Sequence, residues 1–324
     1  MNDLSHINTI EKEFPDFGRY RGYYPLDTTK WDGEGIFSLR RTKRKAWVFA
    51  GILTEEYIIG FAIVDAGIMA TGFAYLQNRK TGKFIEEKCL RPLGFPDNYN
   101  PDLKSSWTIV DGRKSWHFLG SGNTYQFDFV GESFSVQCEA EEEYEGLSVV
   151  APSKNRPFHY TYKNMNLKSK VTITHEGTKK VLNGNFVSID FSKGYPPRET
   201  FWNWASLIGT VAETGDKIGI NLVSGFNDGL ENAVWLGGNL IPLGLSEFKY
   251  QKPISIHRTE IRTNDALLEI QFSPEGKRME NIDVVLYRSQ FIQAFGVFEG
   301  KLLYKGNTLR FHGLGLVEEH HALW

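Results

Sequence analysis

The sequence lacks the marks of a secreted or membrane-spanning protein. Its only cysteines among 324 residues are Cys89 and Cys138, and Met1–His6 shows neither the basic nor the apolar region of a secretory signal. A disulfide between the two is therefore not expected. Cys138 lies in alternating apolar and polar residues, which indicates a buried thiol. Because no apolar run approaches the roughly 18 residues needed to cross a bilayer, we predict a cytoplasmic protein with no membrane span.

The sequence also has no excess of one charge and no sustained helical period. Lys and Arg number 37 against 39 Asp and Glu, a net charge of -2, which gives no electrostatic reason to expect a nucleic-acid partner. Phosphate-cradling loops, nucleophile elbows and dinucleotide fingerprints are missing as well. We predict an enzyme or binding protein that works without a bound organic cofactor.

The sequence is rich in aromatic residues, at 14%, and in glycine, with 32 residues. Both favour strands and tight turns. Gly72–Leu76 and Lys83–Glu87 flank a Thr81-Gly82 turn, which predicts a hairpin, and further turns follow at short spacing. Two prolines between 151 and 157 indicate a boundary. The pattern predicts an all-β protein with few short helices, organised as an N-terminal arm (1–30), a first β domain (31–155) and a second β domain (156–324).

Several short blocks resemble one known family. They are Ile63–Gly67, Tyr160–Asn164, Asp190–Pro197, Trp202–Ser206, Gly219–Leu222, Glu231–Ala233 and Glu318–Trp324. The sequence is similar in these blocks to the bacterial domain-of-unknown-function family 2804, which is distantly similar to hydroxyneurosporene synthase and tocopherol cyclase. The resemblance implies two lipocalin-like (calycin) antiparallel barrels or sandwiches packed together, with a cavity for an apolar, terpenoid-like or lipid-like small molecule.

The tryptophan block is one half of the candidate site. On a strand, Trp202 and Trp204 share one face and Asn203 the other. The indoles either fill a barrel core or line a ligand pocket. We predict all three as ligand-binding residues, together with Asn221 and Asn232.

Glu231 lies beside an apolar strand. Two interpretations remain: a desolvated carboxylic acid whose raised pKa suits proton donation, or a solvent-exposed hairpin cap, which the sequence alone favours.

The C-terminal run is the other half of the site. Glu318 and His320 share one strand face, and Glu319 and His321 the other. Glu318 and His320 suit an acid–base pair, so we predict them, with Glu231, as catalytic residues. A metal site including His312 matches no known ligand spacing, and none is predicted.

A purely architectural tail is the third interpretation of that run. In it, the polar residues anchor the C-terminus by ion pairs while Trp324 fills a cavity. We otherwise expect His321 and Trp324 to contact ligand.

Three residues outside these two runs complete the predicted ligand contacts: Asp190, Arg198 and Tyr160. Arg198 suits an ion pair with Asp190 or with a substrate carboxylate. Lys163, near Tyr160, is interpreted as a solvated residue at a strand end. The sequence predicts a cofactor-independent hydratase, cyclase or isomerase acting on an apolar small molecule. The alternatives are a non-catalytic carrier or sensor of a hydrophobic ligand, and a tail with an architectural role alone.

Overall fold

The structure is a computed structural model that describes residues 17–25, 39–153, 156–284 and 287–323. Most of the predicted N-terminal arm, part of the predicted boundary and Trp324 lie outside these residues. The described chain is almost entirely β-strand, as the sequence predicts, with two short 3-10 helices, Leu39–Lys43 and Asn227–Gly229. No helix in the described residues is long and apolar enough to cross a membrane.

The strands, in chain order, are β1 Gly18–Arg21, β2 Lys45–Leu53, β3 Tyr57–Asp65, β4 Met69–Asn78, β5 Phe84–Pro92, β6 Asn98–Tyr99, β7 Ser106–Asp111, β8 Lys114–Ser121, β9 Thr124–Val130, β10 Phe134–Glu141, β11 Leu147–Ser153, β12 Arg156–His175, β13 Thr178–Gly194, β14 Glu199–Val211, β15 Lys217–Ser224, β16 Ala233–Leu236, β17 Asn239–Pro242, β18 Ser246–Lys249, β19 Thr259–Thr263, β20 Leu268–Val284, β21 Tyr287–Tyr304 and β22 Asn307–Leu323.

The chain forms two compact units. The N-terminal unit contains residues 25–144 and 160–195, and the C-terminal unit contains 1–24, 145–159 and 196–324. Each unit thus draws on separated stretches of the sequence.

The N-terminal unit is one antiparallel sheet in the order β5-β4-β3-β2-β13-β12-β10-β9-β8-β7-β6. It includes the predicted hairpin, in which β4 pairs with β5 around the Thr81-Gly82 turn. The sheet curls back on itself, since Lys114 Nζ on β8 donates to the Lys88 carbonyl on the edge strand β5 at 3.1 Å. Its interior is aromatic, for example where Phe61 and Phe127 pack edge to face at 5.7 Å. Cys89 and Cys138 are both buried free thiols.

The C-terminal unit has a nine-stranded sheet in the order β17-β16-β15-β14-β22-β21-β20-β19-β18, and it also includes β1 and β11, which pair with each other. Ser246 on the edge strand β18 donates from its hydroxyl to the Val223 carbonyl on β15 at 2.8 Å, so this sheet also curls. Aliphatic and aromatic side chains fill its concave face, among them Leu207, Ile220, Phe272 and Val317. The last strand of the chain, β22, therefore lies in the middle of this sheet, between β14 and β21.

The two central strands approach unusually closely at one point. Gly209 on β14 lies opposite Gly313 on β22, and a Cβ on either would lie 2.1 Å from a carbonyl oxygen of the other strand. Only glycine fits at such a spacing. These glycines let β14 and β22 remain paired along thirteen residues, which brings the tryptophan block beside the C-terminal run.

Candidate functional site

The site is built where β14, β22 and β21 of the C-terminal unit run side by side. Trp202 lies opposite His320, and Trp204 lies opposite Glu318. On the next strand, Gln293 is opposite Glu318. Since directly paired residues of an antiparallel sheet project to the same face, all five side chains share one face. Val317 and Leu207 on these strands belong to the apolar core, so this polar cluster lies on the face turned away from that core.

Glu318 is held by two donors. Gln293 Nε2 donates to its Oε1 at 2.6 Å, and Trp202 Nε1 lies 3.5 Å from its Oε2. All three side chains are buried, with Gln293 fully so. The arrangement therefore presents an oriented carboxylate in surroundings that largely exclude water.

His320 is enclosed by aromatic rings. Its ring packs edge to face against Trp202 at 4.3 Å and against Phe291 at 5.1 Å. Its Nε2 is hydrogen-bonded with the Ser289 hydroxyl at 2.9 Å. Burial, with a smaller contribution from the positive charge of Arg278, lowers the pKa of His320 to about 3. The imidazole is thus neutral at ordinary pH, where its ring nitrogens can donate or accept hydrogen bonds.

Arg278 extends the polar cluster on β20. It lies opposite Gln293 in register, is 2% exposed and donates to Glu280 Oε2 at 2.9 Å. Its guanidinium lies 5.2 Å from the centre of the Phe291 ring. A buried cation so close to His320 further disfavours imidazolium formation.

Trp204 and Asn221 form a structural network next to this cluster. Trp204 Nε1 donates to Asn221 Oδ1 at 2.9 Å, and the Asn221 amide donates to the Glu231 carbonyl at 2.9 Å. Asn232 likewise bonds backbone groups, accepting from the Val223 N–H and donating to the Gly244 carbonyl. Both asparagines are fully buried. Their amides therefore tie loop and strand backbones together.

The interpretation of Glu231 as a solvent-exposed cap is wrong. Its side chain is only 2% exposed, and its carboxylate accepts a hydrogen bond from Asn227 in the preceding 3-10 turn. The sequence suggested solvent exposure because turn residues Asn227, Asp228 and Gly229 come just before it. In the structure this carboxylate is instead buried and bonded to Asn227.

Asn203 and the alternate tail residues project to the opposite face. Asn203 Nδ2 donates to the Tyr250 hydroxyl at 3.1 Å and to the Glu318 carbonyl at 3.0 Å. The Tyr250 hydroxyl donates to Glu319, and burial together with this bond raises the pKa of Tyr250 to about 12. His321 pairs with Glu199 at 2.9 Å on the surface. The structure thus separates Asn203 and His321 from Glu318 and His320.

Two predicted site residues, Asp190 and Tyr160, belong to the N-terminal unit. Asp190 pairs with Lys163 at 2.5 Å, and Tyr160 packs against Phe191 at 5.9 Å. Lys163 is 2% exposed in the middle of β12, so its interpretation as a solvated strand end is wrong. Arg198 is exposed immediately before β14.

Sequence reasoning missed Gln293, Ser289 and Arg278. All three lie on the long strands β20 and β21, which carry no tryptophan and no recognisable motif. One signal was available: Gln293 interrupts the apolar run Phe291–Phe295, and a buried amide in such a run needs a polar partner. Among the described residues, no three His, Cys, Asp or Glu side chains form a group able to hold a metal ion, and His312 is exposed.

These two curled antiparallel sheets define a protein of two lipocalin-like β domains. Over residues 19–324 the sequence matches the family described as Domain of unknown function (DUF2804), and the chain belongs to that family. No curated protein matches the sequence.

Solved structures of the following three proteins are among those that share the fold. A putative AttH from Nitrosomonas europaea is 14% identical with a TM-score of 0.53, covering 87% of this chain and 93% of its own. Kievitone hydratase from Nectria haematococca is 13% identical with a TM-score of 0.50, covering 94% and 98%. CghA, solved with Sch210972, is 11% identical with a TM-score of 0.55, covering 85% and 87%. At these identities the likeness establishes the fold alone.

Proposed function

We propose that this DUF2804 protein binds an apolar small molecule in the C-terminal unit and catalyses a cofactor-independent proton transfer on it, as a hydratase, cyclase or isomerase. The observation that carries the proposal is the buried Glu318 carboxylate, oriented by Gln293 and Trp202 beside a neutral His320. A carboxylate held in this orientation can act as a general base that removes a proton from the bound molecule or from water. The predicted cytoplasmic location is retained as part of the proposal.

One carboxylate is sufficient for this chemistry. Glu318 takes the proton of a water molecule or hydroxyl group. The oxygen of that water or hydroxyl group bonds at the same time to one carbon of a polarised double bond. The resulting carboxylic acid then returns the proton to the neighbouring carbon, and the net change is addition of O–H across the double bond. In an isomerisation the proton is taken from one carbon and returned to another.

His320 orients and does not titrate in this scheme. With a pKa of about 3 it stays neutral, so either ring nitrogen acts only as a hydrogen-bond donor or acceptor. Ser289 fixes Nε2 at 2.9 Å. Glu231 is bonded to Asn227 within its own loop, and for this reason we assign the proton transfer to Glu318.

The surroundings of Glu318 favour a flat, apolar ligand. Trp202 and Phe291 flank His320 with two aromatic rings, and aromatic faces bind unsaturated or ring-containing molecules well. The proposed hydration is supported by analogy, because a kievitone hydratase is among the solved structures of the same fold.

An isotope-coded screen tests the proposal. The purified protein and its Glu318→Gln variant are each incubated with pooled unsaturated phenols, terpenoids and polyenes in H2 18O and, separately, in D2O. We expect the unmodified protein to yield either an 18O-labelled hydrate or an isomer of the substrate carrying deuterium, and the variant to yield neither. Products formed equally by both proteins would contradict the assignment. Binding of a pool member without any product would favour the carrier instead.

A further inference from the structure

The N-terminal unit carries four exposed apolar side chains near one another, here called the Leu93 patch. Its members are Leu90 (51% exposed), Leu93 (88%), Phe95 (47%) and Val110 (47%). Isolated exposed apolar residues are common, but a contiguous group marks a surface that binds something. The Leu93 patch takes no part in the site described above.

Arg91 connects the backbone segments of the Leu93 patch by hydrogen bonds. Its guanidinium donates to the carbonyl of Phe95 at 3.4 Å and to the carbonyl of Val110. The Gly94 N–H in turn donates to the Arg91 carbonyl at 3.3 Å. Leu90 precedes Arg91 on β5, and Leu93 follows two residues later. The four apolar side chains therefore surround one short, hydrogen-bonded segment.

Leu93 has a backbone conformation that leucine rarely adopts. Its φ is 57°, in the left-handed region where a branched side chain is strained. The Leu93 N–H donates to the Ile68 carbonyl at 2.9 Å and so fixes this conformation. A glycine or asparagine would relieve the strain, and a side chain 88% exposed adds nothing to the core. Strain retained at an exposed apolar residue points to a role for that side chain outside the fold.

Basic residues border the Leu93 patch. Three acids beside the Leu93 patch are paired with cations: Asp97 with Arg91 at 2.5 Å, Asp111 with Lys114 at 2.9 Å, and Asp65 with Arg41 at 2.8 Å. The Arg41 guanidinium also lies 4.5 Å from the centre of the Phe95 ring. Lys43, Lys88 and Arg113 are also exposed, and they lie within three residues of Arg41, Leu90 and Val110 respectively. These three cations have no counterpart among the three paired acids, so the basic residues named here outnumber the acidic ones.

From this pairing of exposed apolar side chains with a basic border, we propose that the Leu93 patch docks on an anionic lipid bilayer. Apolar side chains enter the boundary between headgroups and acyl chains while the surrounding cations stay among the headgroups. The two contributions together give reversible attachment to the membrane surface. This inference does not depend on the proposed enzymatic function, and its readout is separate from turnover.

Vesicle co-sedimentation of the full-length protein tests the proposal. Vesicles of phosphatidylcholine alone are compared with vesicles that also contain phosphatidylserine. We expect binding to the anionic vesicles that weakens with added salt. Leu93→Asn combined with Phe95→Ser should reduce the binding constant by about tenfold or more, and Lys88→Gln or Arg113→Gln should reduce it by about fivefold each. Asparagine is chosen at 93 because it tolerates the left-handed backbone, so the fold is kept.

Val181→Thr is the matched control, because Val181 is equally exposed at 47% but lies on β13, outside the Leu93 patch. It should leave vesicle binding unchanged. Absence of binding to anionic vesicles, or binding that the Leu93 and Phe95 changes do not weaken, would overturn the proposal. A dimer that Leu93→Asn converts to monomer, without any vesicle binding, would also overturn it and would identify a second copy as the occupant.

Discussion

Trp202 and His320 lie directly opposite each other on β14 and β22, with ring centroids 4.3 Å apart at 66°. Phe291 closes the other side of the imidazole. This enclosure is the main cause of the low pKa of His320, about 3 against an ordinary 6.5. The pairing thus links a packing contact to the protonation state of the site.

The low pKa of His320 predicts a pH-dependent stability. Between pH 6.5 and 3 the unfolded chain binds a proton that the folded chain does not, so stability contributed by His320 is complete above pH 6.5 and is lost as pH falls toward 3. From pH 7 to pH 5 the loss should be about 2 kcal/mol. Urea unfolding at both pH values, in the natural protein and in His320→Gln, measures it.

We expect His320→Gln to remove most of that difference, and the exposed control His312→Gln to leave it unchanged. If His320→Gln and the natural protein lose the same stability between pH 7 and pH 5, His320 is not the neutral, enclosed group described here.

Trp204 and Trp202 should respond differently to replacement by phenylalanine. Both changes remove similar volume, but Trp204→Phe also deprives the buried Asn221 oxygen of a 2.9 Å hydrogen bond, which costs about 1–2 kcal/mol. The Trp202 indole N–H makes a longer contact of 3.5 Å with Glu318, so its loss in Trp202→Phe should cost less. Denaturant titration should rank Trp204→Phe as the less stable variant, and the reverse order would refute a structural role for the Trp204–Asn221 bond.

The buried ion pair between Lys163 and Asp190 predicts that replacing both residues will change the free energy of unfolding by much less than the sum of the two single changes. Lys163→Met leaves the Asp190 carboxylate buried without its cation and should destabilise the protein by about 3–5 kcal/mol. Adding Asp190→Leu should recover much of that loss, because no uncompensated charge then remains. A double-mutant cycle on unfolding free energies measures the coupling. Simple additivity of the two losses would show that the 2.5 Å ion pair contributes little.

The strand content could be predicted from the sequence, and the assignment of strands to units could not. Turn residues such as Thr81-Gly82 and alternating runs are local signals, and they predicted the all-β fold. In contrast, β1 pairs with β11, at Gly18 with Val150, across more than a hundred residues. Such a pairing leaves no local pattern. The boundary predicted between residues 155 and 156 stays a prediction.

For strands that carry a recognisable sequence motif, the sequence predicted which site side chains share a face. Alternation correctly separated Trp202 and Trp204 from Asn203, and Glu318 and His320 from Glu319 and His321. Burial was harder to predict, because it depends on what covers a strand end: Glu231 and Lys163 appeared solvated in the sequence and are buried in the structure. Gln293, which donates to Glu318 at 2.6 Å, lies on a strand that no motif singled out.

The most direct test of the account compares Glu318→Gln with Glu319→Gln on the substrate that the isotope screen identifies. The two glutamates are neighbours on β22 but face opposite sides of the sheet, so the same chemical change is made inside and outside the proposed site. We predict that Glu318→Gln lowers kcat by about a hundredfold to ten-thousandfold with little change in ligand Kd, while Glu319→Gln changes neither. Equal kcat values for the two variants, or a Glu318→Gln loss explained wholly by weaker binding or unfolding, would contradict proton transfer by Glu318.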